Sequence, residues 1–459
     1  MARVLDRSLR DLAAGLRARE FSALDLWHEA RAAMDQREAS LNAYKLRLDA
    51  SAESAARAAD EALRAGRDLG VLQGIPVSVK DLYGVPGFPT FAGSARELPA
   101  KFQAAGPLVR CLLDESAVIT GKTHTVEFAF GGVGLNNHWP TPRNPWDDKV
   151  ARVPGGSSSG AGVSLREGSA IVALGSDTAG SVRLPASVTG NVGYKPTIGR
   201  WSTEGITPLS RLFDTPGILT RTVDDALLAA SEFDRRMYGD KPGGIEGTEA
   251  IEALTIGVPA GHFWQGCDPS IEKVVRDALA SLEEAGHRLV PLNWVEATEA
   301  FELWQAGGTV GAELHAFLSA ELPDWIPTLD PNVGKRMQLA ASVTPEEVKS
   351  RKAAFDALAT RTRRYFTEVD VIATPTVITS PPPVAEVRDH DGYKAANLRM
   401  LRNTHTANVL GLCGMTIPVG FDALGMPVGM QLMGAPMADD LLFAAALATE
   451  KALAELASA

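Results

Sequence analysis

The stretch from Pro154 to Arg200, PGGSSSGAGVSLREGSAIVALGSDTAGSVRLPASVTGNVGYKPTIGR, limits what this chain can fold into more than any other. Gly155-Gly156-Ser157-Ser158-Ser159-Gly160 is poor material for a regular element, because adjacent glycines reach backbone angles closed to other residues and serines bond back to the local main chain. Ser169 to Ser176 is a continuous apolar run of strand length, which predicts a buried strand. The chain leaves it at once into Asp177-Thr178-Ala179-Gly180-Ser181. That sets Ser181 just past a strand end, on a turn of small residues with unscreened N–H groups. Acyl transfer needs such an arrangement, a hydroxyl nucleophile beside main-chain donors that hold an oxyanion.

Earlier in the chain, Ser8 and Ser22 each open a helix, with Asp11 and Asp25 three residues on, and an Ala-rich helix follows over about 50–65. Val77 and Val79 then alternate with Ser78 and Lys80, predicting a short strand with one polar face. A lone lysine at a strand end is ordinarily a solvated charge. Gly106 to Ala117 predicts a helix and Val118 to Thr120 a short strand, leading into Gly121-Lys122-Thr123-His124-Thr125-Val126-Glu127-Phe128-Ala129. Further on, Thr222 caps a helix, Tyr238 to Gly244 is a surface loop, and Ile271 to Ala285 is an amphipathic helix. Asp370 to Thr376 is a buried strand into a turn, Pro381-Pro382-Pro383 lies in an exposed loop, and Asp439 to Ala457 is the last helix. The segment 296–341 holds Trp304, His315 and Trp325 without a legible motif, and its tryptophans are most simply core.

Several of these segments together closely resemble the amidase signature family. The matching pieces are Gly155-Gly156-Ser157-Ser158, Gly175 to Arg183, Pro185-Ala186, Gly193 to Arg200, the Pro76-Val77-Ser78-Val79-Lys80-Asp81 run and Gly425 to Gly434, with 24 positions separating Ser157 from Ser181. The resemblance implies an α/β protein with the amidase signature fold, a large mixed sheet covered by helices on both sides. It implies one domain over 1–459: a helical region (1–70), a signature core (74–226), a variable substrate-pocket region (235–365) and the rest of the core (370–450). It also implies a nucleophile at Ser181, a bridging serine at Ser157 preceded by a cis peptide, a base at Lys80, and an oxyanion hole from the N–H groups of Thr178, Ala179, Gly180 and Ser181. No metal or cofactor is implied.

The implied activity is hydrolysis of a small-molecule carboxylic amide to carboxylate and ammonia or amine, through an acyl-serine. The alternative is the glutamine-hydrolysing subunit of a tRNA-dependent amidotransferase, which shares the triad. That alternative ranks lower because Val163 to Glu167 and Arg211-Leu212-Phe213 depart from those subunits. An inactive scaffold is a third reading, opposed by the joint presence of Lys80, Ser157 and Ser181. Lys80 must be neutral to act as a base, so it is expected to be buried away from carboxylates.

Three departures from the family stand out. Ala179 replaces a glycine, which is tolerable where φ is negative. The other two, Val163 to Glu167 and Trp201, are expected to alter the pocket's shape. Asp177 and Arg183 are expected to brace the turn, and His124 to pack.

Two other motif readings fail. Gly156-Ser157-Ser158-Ser159-Gly160 matches a nucleophile elbow at Ser158, yet the polar, proline-bounded 146–154 provides no strand before it. The same loop lacks the Lys-Ser/Thr ending of a phosphate-binding loop.

The net charge of −11 argues against nucleic acid or an anionic membrane as partner. No apolar run approaches the roughly 18 residues of a membrane helix, and the N-terminus has no signal-peptide core. The three cysteines, Cys111, Cys267 and Cys413, carry neither a disulfide nor a metal spacing, which suits a cytoplasmic location. A homodimer is the family-level expectation.

Overall fold

The computed structural model describes residues 3–239, 244–245 and 247–458. Eleven strands form one sheet. They are β1 (Tyr44–Arg47), β2 (Pro76–Lys80), β3 (Val118–Thr123), β4 (Val172–Asp177), β5 (Val192–Lys195), β6 (Thr215–Thr220), β7 (Thr255–Pro259), β8 (Arg288–Leu292), β9 (Val371–Pro375), β10 (Cys413–Phe421) and β11 (Pro427–Gly434). Their order across the sheet is β1-β3-β2-β4-β6-β5-β10-β11-β9-β7-β8. The β3-β2-β4 and β9-β7-β8 neighbours run parallel, while the pairs from β4 through β6, β5, β10 and β11 to β9 are antiparallel. The sheet is therefore mixed, and the α/β architecture is as expected.

Burial explains where the strands depart from their sequence reading. All five residues of β2 are buried. Ser78 is not on a solvent face but shares a hydrogen bond with Ser164 (Oγ–Oγ 2.8 Å) on the helix Ser159–Glu167, which lies over β2. β2 lies between two parallel neighbours, so both of its faces are covered and a polar residue there needs an internal partner. β3 runs on through Gly121, Lys122 and Thr123, and β4 begins at Val172 rather than Ser169. Ser169 instead bonds the Ser164 carbonyl (3.1 Å) and the Tyr44 hydroxyl (2.8 Å).

The helices from Ser8 and Ser22 form, with both serine side chains accepting from the N–H three residues on. The others predicted span Asp49–Arg64, Pro107–Asp114, Val223–Tyr238, Pro269–Glu284 and Asp439–Ser458. Pro381 to Pro383 is not an exposed loop: Pro381 is buried, the Pro382 carbonyl accepts from Val153 N–H (3.0 Å) and Pro383 bridges to Arg152. Residues 240–243 of the predicted surface loop lie outside the described residues. Among the described residues no helix is long and apolar enough to cross a membrane.

Trp201 corrects another expectation. It is 1 % exposed and packs edge-on against Tyr194 (5.5 Å) and Phe233 (5.6 Å), with Nε1 donating to Asp234 (2.7 Å). It is core, not pocket wall. Trp201→Leu is expected to lower stability by about 2–3 kcal/mol, from lost packing and an unpaired Asp234 acceptor. Urea unfolding measures that loss, and KM for any substrate should stay unchanged.

Candidate active site

Parallel pairing of β2 and β4 delivers Lys80 and Ser176-Asp177 to the same edge of the sheet. Carboxyl ends of parallel strands are where α/β sheets place ligands. Lys80 Nζ lies 2.8 Å from Ser157 Oγ, 2.9 Å from Ser176 Oγ and 3.5 Å from the Ser176 carbonyl. The lysine is 0 % exposed, and no carboxylate pairs with it among the described residues. Burial takes its amine down to about 7, against the opposing pull of the more distant Asp214 and Asp177 carboxylates.

Ser157 sits in the loop entering the helix Ser159–Glu167, and the Gly156–Ser157 peptide is cis. Its carbonyl accepts from Val126 N–H (3.1 Å) and Ser159 N–H (2.8 Å). Ser158, the rejected elbow residue, has a joining role. Its N–H donates to the Ser181 carbonyl (3.3 Å) and its hydroxyl to the Ser176 carbonyl (3.3 Å), docking the nucleophile turn on the Ser157 loop. Among the described residues the Ser181 hydroxyl makes no hydrogen bond. The structure thus pairs Lys80 with Ser157 directly, while Ser181 is joined to that loop through its carbonyl.

The turn at Ser181 is held by Asp177. Its carboxylate accepts from the N–H groups of Gly180 (2.7 Å) and Val182 (3.2 Å), from Arg183 Nε and Nη2 (both 3.1 Å) and from Asn408 Nδ2 (2.9 Å). Burial alone would raise this carboxyl, but the Arg183 guanidinium, Lys195 and the Asn408 amide together outweigh it and hold the group at about 2. Arg183 in turn reaches Gln431 Oε1 (2.9 Å) and Asn408 Oδ1 (2.7 Å). The four expected oxyanion donors become three: the Gly180 N–H is committed to Asp177, while those of Thr178, Ala179 and Ser181 have no acceptor among the described residues. Ala179 is not among the residues with left-handed φ, as an alanine standing in place of glycine requires.

A cavity of about 420 Å³ opens on this cluster at Ser176, with Leu82, Ile206, Leu209 and Ala129 among its apolar walls. Its size is ordinary for a small-molecule site. Phe128 and Ala129 hold φ of +46° and +57°, angles uncommon outside glycine. Neighbouring Glu127 accepts from Asp330 N–H (2.6 Å) and faces His138 Nε2 (3.3 Å), which ties the cavity wall to the variable region.

His124 is packed rather than poised. Burial pushes its imidazole down to about 3, and its carbonyl accepts from Gly160 N–H (3.0 Å) and the Ser159 hydroxyl (3.1 Å). Trp304 stacks on His405 (5.4 Å), Trp325 lies under Arg96 (4.1 Å), and neither lines the cavity. Nor do Val163 to Glu167, whose helix is turned into the core.

Sequence reasoning missed two members of the site. Ser176 gives Lys80 its second hydroxyl; it ends the predicted strand and lies in the matching Gly175 to Arg183 piece, yet sequence reasoning gives it no role. Asp214 receives the Thr178 hydroxyl (2.6 Å), and it too is given no role there. A group of metal-ligating type, Cys111, Glu115 and Glu232, lies elsewhere, where Arg236 already pairs with Glu115 (3.3 Å) and Glu232 (3.2 Å).

Comparison with known proteins identifies the family. A sequence model of the Amidase family matches residues 28–443. A 2-amino-5-chloromuconic acid deaminase from Comamonas testosteroni is 48% identical over 417 residues, 91% of this chain and 89% of that protein. A glutamyl-tRNA(Gln) amidotransferase subunit from Myxococcus xanthus is 30% identical over 463 residues, covering 92% of each chain. A crystal structure described as an amidase superposes with a TM-score of 0.86 at 27% identity, covering 97% of this chain and 99% of the other.

Proposed function

This chain belongs to the Amidase family, the amidase signature hydrolases, and on that premise we propose that Ser181 is the nucleophile, Ser157 the bridging proton carrier and Lys80 the base. The chain is a hydrolase of carbon–nitrogen bonds in small-molecule amides. Neutral Lys80 takes the Ser157 proton as Ser157 takes that of Ser181, and Ser181 Oγ bonds to the acyl carbon. Charge on the former carbonyl oxygen falls to the N–H groups of Thr178, Ala179 and Ser181. The C–N bond breaks as the proton returns to nitrogen, releasing ammonia or an amine. Water then cleaves the acyl-serine to the carboxylate. An ester enters by the same route.

The observation that carries this reading is Lys80 Nζ, fully buried and 2.8 Å from Ser157 Oγ, with its amine near 7. The missing bond between Ser157 and Ser181 is compatible with it, since such contacts commonly tighten only around substrate. A second reading, release of ammonia from an amino-substituted unsaturated acid, is favoured by the 48% identity to the deaminase. The amidotransferase reading draws on relatives at 30–36%, the higher value over 62% of this chain, and ranks below both. We also read the chain as one domain, and the free Cys111, Cys267 and Cys413 support a cytoplasmic setting.

The test is ammonia release from a panel of small amides and L-glutamine, by the wild type and Ser181→Ala in parallel. Release that vanishes in Ser181→Ala is the expected result. Release from glutamine alone would favour the amidotransferase reading. Equal release by both proteins would remove Ser181 from the mechanism.

A further inference from the structure

The loop carrying Arg211 is pinned from two sides. Asp214 Oδ2 accepts from the N–H groups of Leu209 (2.9 Å) and Ser210 (3.0 Å), while its Oδ1 takes the Thr178 hydroxyl at 2.6 Å. One carboxylate thus fastens this loop to the oxyanion turn. Glu313, on the helix Thr309–Glu321, accepts from the Ser210 hydroxyl and from the Arg211 and Leu212 N–H groups. Phe213 adds edge contacts to Trp304 (6.1 Å) and Phe355 (5.7 Å).

Glu204, Arg211 and Asp214 are the charged residues lining the cavity that opens at Ser176. Asp214 is occupied by the bonds just given, and Glu204 pairs with Arg110 (3.2 Å). The Arg211 side chain makes no hydrogen bond or ion pair among the described residues; the carboxylate whose charge it feels, Glu321, is already paired with Lys101. Thr207, 3 % exposed and also on the cavity wall, has a buried Oγ1 without a partner. An uncommitted guanidinium and a buried, unpaired hydroxyl on the same wall ask for an anionic acceptor, and the planar fork of arginine suits a carboxylate. Between them and Ser176 the wall is apolar at Ile206, Pro208 and Leu209. At about 30 Å³ per water-sized atom group, the cavity of about 420 Å³ holds a molecule of roughly a dozen non-hydrogen atoms.

We infer that Arg211 and Thr207 form a carboxylate subsite, so that the substrate is a short dicarboxylic acid derivative held by its free carboxylate while its C–N bond lies at Ser181. This rests on the active-site reading above. It names a specificity residue on a stretch, Arg211-Leu212-Phe213, that departs from the amidotransferase subunits.

Adipamate and its uncharged match hexanamide test the inference by the ratio of their kcat/KM values. The wild type should favour adipamate by about a hundredfold, and the ratio should fall below about fivefold in Arg211→Met and recover in part in Arg211→Lys. An unchanged ratio in Arg211→Met, or a wild-type preference for hexanamide, overturns the subsite. Calorimetric titration with adipate needs no turnover. Binding should weaken at least about tenfold in Arg211→Met, and adipate that binds both proteins alike, or neither, overturns the inference. Arg211-dependent adipate binding with no hydrolysis of either amide would uphold the subsite and sink the amidase reading instead. Arg211 is exposed, so equal melting temperatures should confirm that both variants fold.

Discussion

Lys80→Met, Ser157→Ala and Ser181→Ala are each expected to lower turnover by about a thousandfold to a hundred-thousandfold, and combining them should cost little more. Residues acting as one proton path fail together, so the losses do not add; what survives is the rate due to binding and the oxyanion donors. The pH dependence follows from Lys80. Its amine is down at about 7 through burial, and only the neutral form accepts a proton. Activity should therefore climb through about pH 7 and level off about one unit higher, read as kcat/KM against pH. An acid optimum, or activity surviving in Lys80→Met, would remove Lys80 from the role of base.

The same burial has a stability signature as well. Unfolded, the lysine returns to about 10.4, so between there and about 7 the unfolded chain holds the extra proton and stability rises with pH. Lys80→Met removes that slope. Below pH 7 the wild type carries the whole penalty of a buried charge, so the inactive variant should melt higher, with its advantage largest there and shrinking towards pH 10. Thermal unfolding of both proteins at about pH 6 and about pH 9 measures it.

The positions proposed to carry chemistry were readable in sequence because local chain geometry demands unusual residues there. A turn packed against neighbouring backbone needs Gly155, Gly156 and Gly180, and a proton path needs Ser157 and Ser181; such residues leave a dense pattern within 47 positions. Lys80 was different. Alone it reads as a surface charge, and only the resemblance gave it a role, since its burial depends on β3 and β4 closing over β2. The polar face assigned to β2 failed for the same reason, because alternation cannot reveal that a helix covers the other side. Least legible were pairings distant in sequence. Arg183 meets Gln431 across 248 positions and Asn408 across 225, and nothing local to any of the three announces the bond. Trp201 misled because an aromatic at a variable position suits a pocket as well as a core, and only Tyr194, Phe233 and Asp234 around it decide.

Gly180→Ala should destabilise the protein by about 3 kcal/mol or more and lower kcat at least about a hundredfold. Gly180 holds φ at +126°, a region that residues with a Cβ rarely enter. A methyl there would stand 2.0 Å from Thr404 Oγ1 and 2.4 Å from Thr404 Cβ. Thr404 cannot swing away freely, because its hydroxyl donates to the Ala179 carbonyl at 2.6 Å and so fixes the peptide plane beside the oxyanion donors. Relief of the clash must move the turn, and with it the N–H groups of Ala179 and Ser181. Gly180's own N–H anchors the turn to Asp177, so the shift also loosens that brace. Two further variants isolate the cause. Ala179→Gly changes the neighbouring residue where φ is not left-handed, and should keep activity within about threefold while lowering stability by under about 1 kcal/mol. Gly180→Ala with Thr404→Gly removes the hydroxyl and the Cβ, and so the whole side-chain clash, but not the backbone demand, and should recover only part of the lost stability. Full recovery would mean that crowding by Thr404, rather than the backbone angle, makes glycine necessary at this position.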